Sequence, residues 1–135
     1  SIADNSFDIR MRTHVIEHLP NGDLGLTGLL PKIKKGVIAY VEFPSQRSTR
    51  LPSKKGTLNF YDDETHHRVY SVEEVERVFL DGGWQVLRSG ARRDWLRIVT
   101  MPMAIVKSKI DLGYVAGSVF WDLLGFADYV LAEKR

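Results

Sequence analysis

The sequence predicts an α/β fold in which a sheet of about four strands carries helices on its faces. Residues 36–43 form a nearly continuous apolar run rich in β-branched side chains, the pattern of a strand covered on both faces. Residues 71–83 combine a capped start, apolar side chains at helical spacing and two closing glycines, which predicts a helix. Strand and helix patterns alternate along the 135 residues, a length that is sufficient for a single domain.

The first half of the chain supplies a strand, a helix and a second strand. Residues 7–13 alternate apolar and polar side chains, which predicts a short strand. Residues 21–33 predict a helix with leucine and isoleucine on one face, although glycines and a proline lower its propensity. After the strand at 36–43, residues 44–70 show no periodicity, which in so long a stretch is typical of a functional loop.

The second half supplies three helical segments and two strands. Ser71 and Glu74 have the spacing of a capping box at the start of the first helix. Asp94 can cap the next helix, which should run towards residue 110 and break near Pro102. The remaining segments are strands at 84–89 and 127–133 and an apolar helical piece at 114–124.

Composition narrows the classes of function. The 19 basic and 17 acidic residues give a net charge of +2, and this near balance argues against specific nucleic-acid binding. The absence of cysteine excludes disulfides, thiolate nucleophiles and cysteine-ligated zinc. No apolar run reaches the roughly 18 residues that span a bilayer, and the chain has no signal-peptide pattern. We therefore expect no membrane span and a cytoplasmic location.

Three stretches carry a resemblance to a known family. Residues 5–8 read Asn-Ser-Phe-Asp and residues 13–19 read Thr-His-Val-Ile-Glu-His-Leu. Residues 31–38 read Pro-Lys-Ile-Lys-Lys-Gly-Val-Ile, and residues 65–71 read Thr-His-His-Arg-Val-Tyr-Ser. In order and spacing, over roughly residues 4–90, they resemble the C-terminal half of the class I S-adenosylmethionine (SAM)-dependent methyltransferase family, type 11/12-like, from its fourth strand onward.

The resemblance implies a Rossmann-like half-sheet whose last strand is antiparallel to the others. It also implies SAM as the cofactor, direct methyl transfer to a small-molecule or saccharide acceptor, and positions near SAM for Thr13 and His14. The sequence departs from the family because it has no glycine-rich turn to approach the cofactor and begins just before the equivalent of strand four. We therefore expect residues 1–135 to be a single truncated domain that binds SAM weakly or not at all.

Catalysis by this chain alone is accordingly expected to be weak or absent. The alternative to an enzyme is a non-catalytic methyltransferase-like module for dimerisation or interaction. Such a module can form a homodimer through the first strand or through residues 95–124. Arg10 and Arg12 on the first strand favour an exposed face or edge there.

The first candidate cluster follows the first strand, at the predicted carboxyl edge of the sheet. His14 and His18 are four residues apart around Glu17, so they share one face if this turn is helical. A metal would then be possible, but no third ligand has a convincing spacing, and we predict no metal site. We retain His18 as a catalytic candidate, with a structural histidine as the alternative.

The second candidate cluster contains Asp62, Asp63, His66 and His67. A histidine beside a carboxylate is a reasonable general base for deprotonating a methyl acceptor. His66 matches the Thr-His position of the family and is the first choice for the catalytic base, with His67 on the substrate side. The favoured alternative is a hydrogen-bond network that orders the loop, with Asp62 or Asp63 capping a turn.

Two further residues are candidates for substrate binding. Glu42 ends an apolar strand and should point to the carboxyl edge, where substrates of such sheets bind. Arg47, with Arg50, Lys54 and Lys55, gives the long loop a positive charge that suits a phosphorylated substrate such as a nucleotide sugar, or a nucleic-acid backbone. The alternative is a solvated loop.

Residues 95–124 are rich in tryptophan, methionine, isoleucine and phenylalanine. Such a segment can be a substrate lid, a dimer surface or a membrane-surface patch. The favoured interpretation is ordinary core, formed by helices that pack over the sheet.

Overall fold

The computed structural model describes residues 14–135, with a three-stranded sheet at the centre. The strands are β1 (Ile38–Pro44), β2 (Trp84–Ala91) and β3 (Ala127–Lys134). Their order is β1-β3-β2, and β3 is antiparallel to both neighbours. The α/β class and the antiparallel last strand are therefore confirmed. The predicted first strand, Thr13 and the dimer contact along that strand lie outside the described residues.

Helices surround the sheet at most of the predicted positions. The α-helices are α1 (Gly22–Leu29), α2 (Val72–Asp81), α3 (Trp95–Val99), α4 (Met101–Leu112) and α5 (Trp121–Leu124). Short 3₁₀ turns occupy Ile16–His18, Leu30–Lys32, Gln46–Arg50, Phe60–Asp62 and Gly117–Phe120. The predicted break near Pro102 is confirmed, since Thr100 separates α3 from α4 and the proline lies in the first turn of α4. The predicted helical piece at 114–124 is divided between a 3₁₀ turn and α5.

The ends of α2 follow the predicted capping chemistry. The Ser71 hydroxyl accepts a hydrogen bond from the Glu74 amide at 3.1 Å, and the Ser71 amide donates to the Glu74 carboxylate at 2.8 Å. The helix ends at Gly82, and Gly83 adopts a φ of 77°, a left-handed conformation that favours glycine. The reciprocal cap satisfies backbone groups that the first turn leaves open.

The main apolar core lies on one face of the sheet. Ala39, Val41 and Phe43 of β1 are fully buried there, and Val75 and Phe79 of α2 pack in the same cluster. Burying one such large side chain contributes about 2 kcal/mol. The alternate β1 residues belong to the opposite face, which is more open.

Helices α3 and α4 contradict the core interpretation of their segment. Trp95 is 69% exposed and Ile110 is 77% exposed. Ser108, the buried residue of α4, bonds to the segment that follows the helix: its hydroxyl donates to the Tyr114 carbonyl at 3.1 Å and accepts from the Ala116 amide at 2.9 Å. The apolar side chains of α3 and α4 are instead largely exposed. None of the helices between residues 14 and 135 has the length and apolar composition required to cross a bilayer.

Candidate active site

The carboxyl ends of β1 and β2 meet at one edge of the sheet, because both strands are antiparallel to β3. Glu42 lies near the end of β1, and Arg92 follows β2 directly. The Arg92 guanidinium donates to Glu42 Oε1 at 2.7 Å and to Asp122 of α5 at 2.7 Å. Together with His14, these three residues are called the edge network below.

Glu42 is the acceptor at the centre of the edge network. His14 Nε2 lies 2.8 Å from Oε1, and the Tyr40 hydroxyl donates to Oε2 at 2.9 Å. Burial alone would raise the pKa of Glu42, but hydrogen bonds from His14, Arg92 and Tyr40 outweigh it and lower the pKa to about 2. Glu42 is therefore a carboxylate at neutral pH and a very weak proton acceptor.

His14 bridges two carboxylates. Its Nδ1 lies 3.2 Å from Glu17 Oε1, and its ring lies beside Trp121, with centroids 5.8 Å apart. Burial lowers the pKa of His14, but the hydrogen bonds with Glu17 and Glu42 dominate and raise the pKa to about 9. The ring is consequently an imidazolium at neutral pH, with one N–H donated to each carboxylate.

Asp122 fixes the start of α3 to this edge. It is 4% exposed, and it accepts from the Asp94 amide at 2.9 Å as well as from Arg92. Asp94 in turn caps α3, because its side chain accepts from the amides of Leu96 and Arg97, which confirms the predicted cap. The buried Asp122 carboxylate thus fixes the position at which α3 begins beside the sheet.

A cavity of about 900 Å³ opens beside the edge network. The open face of the sheet forms one wall, and the segment after β2 forms the other. Its lining consists of Ile38, Tyr40, Glu42, Arg92, Arg93, Asp94, Trp95, Leu96, Arg97 and Leu131. The cavity therefore combines aromatic and apolar surface with the charged side chains of Glu42 and Arg92, which their hydrogen bonds hold in position.

A second group, called the histidine cluster below, contains Glu17, His18 and His66. One ligand-type atom from each residue lies within 4.8 Å of the others. The His18 and His66 rings are 4.8 Å apart, and the His66 ring also lies 4.7 Å from the Phe60 ring. The His66 side chain is 6% exposed and the His18 side chain 34%, so His18 is the more accessible of the two predicted catalytic histidines.

The aspartates beside this cluster order the long loop, which confirms the favoured interpretation of them. Asp62 accepts from the amides of Lys54, Leu58 and Asn59 at 2.8–3.0 Å. Partial burial opposes the charge, yet hydrogen bonds, including one from Ser53, hold the pKa of Asp62 well below its usual range. The loop is thereby folded around a carboxylate.

Within residues 14–135, Arg47 forms no hydrogen bond or ion pair with the edge network or the histidine cluster. It donates to Asp128 at 2.6 Å, and its side chain is 53% exposed. Burial raises the pKa of Asp128, although the charge of Arg47 opposes this. Arg47 and Arg50 line a separate cavity of about 480 Å³, and the phosphate contact stays a prediction.

His67 contributes backbone to this region. Its amide donates to the Glu17 carbonyl at 2.8 Å and so ties the loop to the turn at Ile16–His18. Its side chain is exposed, and within residues 14–135 no hydrogen bond or ion pair of the ring is found. The structure thus unites His14 with Glu42, and His18 with His66, while Arg47 and the His67 ring stand apart.

Three members of the site were not predicted from the sequence: Tyr40, Arg92 and Asp122. Asp122 carried a usable signal, since it is a lone acidic residue in an otherwise apolar stretch. Arg92 and Tyr40 carried none, because their roles depend on a partner about 50 residues away or on which face of β1 is open.

The sequence predictions about SAM concern His14 and Thr13. Both ring nitrogens of His14, the residue that the resemblance places near SAM, are hydrogen-bonded to carboxylates. Thr13 lies outside the described residues, and the sequence has no glycine-rich turn at which backbone could approach a cofactor closely.

The fold is class I methyltransferase-like, as comparison with solved structures shows. A sarcosine dimethylglycine methyltransferase structure from Galdieria sulphuraria superposes with a TM-score of 0.61 at 16% identity, covering 98% of this chain and 54% of that one. A chain of the complex between the Haloferax volcanii Trm112 methyltransferase activator and its methyltransferase superposes with a TM-score of 0.60 at 12% identity, covering 98% of this chain and 56% of that one. A SAM-dependent methyltransferase from Archaeoglobus fulgidus superposes with a TM-score of 0.54 at 20% identity, covering 98% of this chain and 61% of that one.

These likenesses extend over little more than half of each solved chain, and at such identities they show the fold and not the reaction. No protein-family profile matches the sequence, and no curated protein sequence matches it either. The resemblance drawn from three stretches of sequence is confirmed at the level of the fold.

Proposed function

We propose that this chain is the C-terminal, acceptor-binding portion of a SAM-dependent methyltransferase. The observation that carries the proposal is the cavity at the carboxyl edge, with Glu42 and Arg92 already oriented beside it. In open α/β sheets the carboxyl edge is where ligands bind. Residues outside 14–135 would have to hold the cofactor, so activity of this chain alone should be weak or absent.

The lining of the cavity favours a small polar acceptor such as a saccharide. Tyr40 and Trp95 supply aromatic surface, and Glu42 and Asp94 supply hydrogen-bond acceptors for hydroxyl groups. Methyl transfer depends chiefly on positioning two reactants in line. We assign Glu42 a positioning role, because a carboxyl group with a pKa of about 2 takes up almost no protons at neutral pH.

A base is needed only when the acceptor must lose a proton. His66 and His18 remain the proposed bases, and the greater exposure of the His18 side chain favours His18 for direct access. Arg47 and His67 are proposed contacts for a substrate group that extends beyond the cavity. Thr13 and His14 are proposed neighbours of SAM.

Titration calorimetry with SAM tests the proposal. The chain alone should show no micromolar binding. The chain joined to a preceding gene segment that encodes a glycine-rich strand-turn-helix should bind SAM and transfer labelled methyl groups to a saccharide or small hydroxylated acceptor. In the joined protein, Glu42→Gln should raise KM for the acceptor by about tenfold with a smaller effect on kcat. Such a joined protein that does not bind SAM would contradict the proposal.

A non-catalytic dimerisation module is the second candidate, and a specific surface favours it. Seven large apolar side chains on α3 and α4 are at least half exposed: Trp95, Leu96, Val99, Met103, Val106, Ile110 and Leu112. Contiguous apolar surface of this kind marks interaction sites. A second copy of the chain, related by two-fold symmetry, would cover it.

Sedimentation equilibrium with and without SAM separates the two candidates. A dimer that ignores SAM, in a protein with no glycine-rich segment before residue 1, supports the module. A monomer at high concentration excludes the homodimer and leaves a different protein as the occupant of the surface. The Haloferax volcanii structure, which contains an activator, gives one precedent for such a partner.

A further inference from the structure

The histidine cluster combines three metal-ligating side chains from two segments of the chain. Glu17 and His18 come from the turn at Ile16–His18, whereas His66 comes from the loop before α2. The His67 amide donates to the Glu17 carbonyl, which fixes the spacing of the two segments. The backbone therefore holds the cluster together without any contribution from the three ligand atoms.

Hydrogen bonds determine which ring nitrogen of each histidine carries its proton. His66 Nδ1 lies 2.7 Å from the Phe60 carbonyl, which can only accept, so Nδ1 is the donor. His18 Nδ1 lies 2.8 Å from the Thr65 hydroxyl, and that hydroxyl donates to Asp63 at 2.5 Å, so His18 Nδ1 is a donor too. In the neutral rings both Nε2 atoms then keep a free lone pair, the arrangement found in metal-bound histidines.

Glu17 supplies an independent indication of a missing partner. It is 1% exposed, and its Oε2 has no hydrogen-bond partner among residues 14–135. Its Oε1 lies 3.2 Å from His14 Nδ1 and 3.9 Å from His18 Nε2. A buried carboxylate oxygen without a partner is costly unless a cation or donor reaches it.

We propose that Glu17, His18 and His66 bind one divalent transition-metal ion, with Zn²⁺ as the representative. Two imidazole nitrogens and one carboxylate form a known ligand set for this class of ion, and His18 lies at the partly exposed side, which leaves a position for water. Tetrahedral zinc needs ligand atoms about 3.4 Å apart, so atoms that lie up to 4.8 Å apart must close by up to about 1.4 Å. The proposal does not depend on methyl transfer, and it competes with the proposed role of His18 and His66 as bases, because a bound ion would occupy the Nε2 lone pairs that accept a proton.

Nearby charges both favour and oppose the ion. Asp63 Oδ2 lies 3.7 Å from His66 Nε2 and adds negative charge. His14 Nδ1 lies 3.2 Å from Glu17 Oε1, so the His14 ring competes with the metal for this oxygen. The sequence predicted no metal because His14 and His18 lacked a third ligand nearby, whereas this set replaces His14 by Glu17 and obtains His66 from the distant loop.

Equilibrium dialysis of the protein against ZnCl₂, followed by elemental analysis, tests the site. We expect one Zn²⁺ for each wild-type chain and binding at least about tenfold weaker in His18→Gln and Glu17→Gln. His67→Gln is the matched control, because its ring is exposed and its replacement should leave the affinity unchanged. His14→Gln should bind Zn²⁺ at least as tightly as the wild type.

His18→Gln is the decisive variant because its side chain is partly exposed, and circular dichroism verifies that each variant is folded. Absorption of the Co²⁺-loaded protein should indicate nitrogen and oxygen ligands, and it should change in His18→Gln. Absence of stoichiometric Zn²⁺ in the wild type would overturn the site. Unchanged affinity in His18→Gln, or a loss in His67→Gln or His14→Gln, would overturn the ligand set.

Discussion

Replacing Glu42 by glutamine removes the carboxylate that His14, Tyr40 and Arg92 share. The ordinary pKa of 4.5 and the folded pKa of about 2 differ by about 2.5 pH units, which corresponds to about 3 kcal/mol. Because the folded pKa is lowered, this stability is present above pH 4.5 and is lost as the pH falls through about 2. The glutamine oxygen can keep some hydrogen bonds, so we expect a loss of about 2–3 kcal/mol at pH 7.

Urea unfolding at pH 7 measures this loss directly. Glu133→Gln on β3 is the matched control, since within the described chain the Glu133 side chain forms no hydrogen bond or ion pair, and its change should be within about 0.5 kcal/mol. Nuclear magnetic resonance titration of His14 in the Glu42→Gln protein should also give a pKa below about 9. If the two variants unfold at the same urea concentration, the edge network does not stabilise the fold.

Three further outcomes are expected. The stability that His14 contributes is complete below pH 6.5 and is lost as the pH rises through about 9. Because the His14 side chain is 37% exposed, solvent screening limits this contribution to about 1 kcal/mol. A difference in urea unfolding between the wild type and His14→Gln that does not change with pH would contradict this. Gly22→Ala places a Cβ against the Ile16 carbonyl and should lower the stability measured by thermal unfolding by about 1–3 kcal/mol. Gly28→Ala has no atom within 4 Å of the new Cβ and should stabilise α1 by up to about 1 kcal/mol. Equal effects of the two substitutions would refute the close approach of Gly22 to Ile16. If the module interpretation is right, Ile110→Glu should convert a dimer to a monomer in sedimentation with little change in stability, and a variant that remains dimeric would exclude this face.

Local patterns predicted much of the fold because their causes are local. The capping box at Ser71 and Glu74 joins groups three residues apart, and the break near Pro102 follows from one missing amide. The strand at 36–43 appears as β1 for the same kind of reason, but the predicted cover on both faces is wrong, because Ile38, Tyr40 and Glu42 line the cavity on the open face. Positions of the elements could therefore be inferred without knowledge of the tertiary contacts.

The candidate site was less predictable because its groups find each other across the fold. Glu42 was expected at the carboxyl edge and lies there, but Arg92 reaches it only once β2 is paired with β3. The core interpretation of residues 95–124 failed for α3 and α4, because apolar composition does not reveal whether a helix packs against the sheet. Whether a side chain is buried or joins the site therefore depends on which residues contact each other in the fold, and composition alone does not determine it.

The central position of β3 has a consequence for how the protein forms. β1 and β2 are each hydrogen-bonded to β3 and not to one another, and β1 ends 83 residues before β3 begins (127 − 44). Neither strand can join this sheet until residues 127–134 have been synthesised and brought back over a long loop, a step that makes folding slow. Until then, the newly made chain leaves the apolar β1 and the more polar β2 unpaired in this sheet, and unpaired strand edges are open to aggregation during that interval.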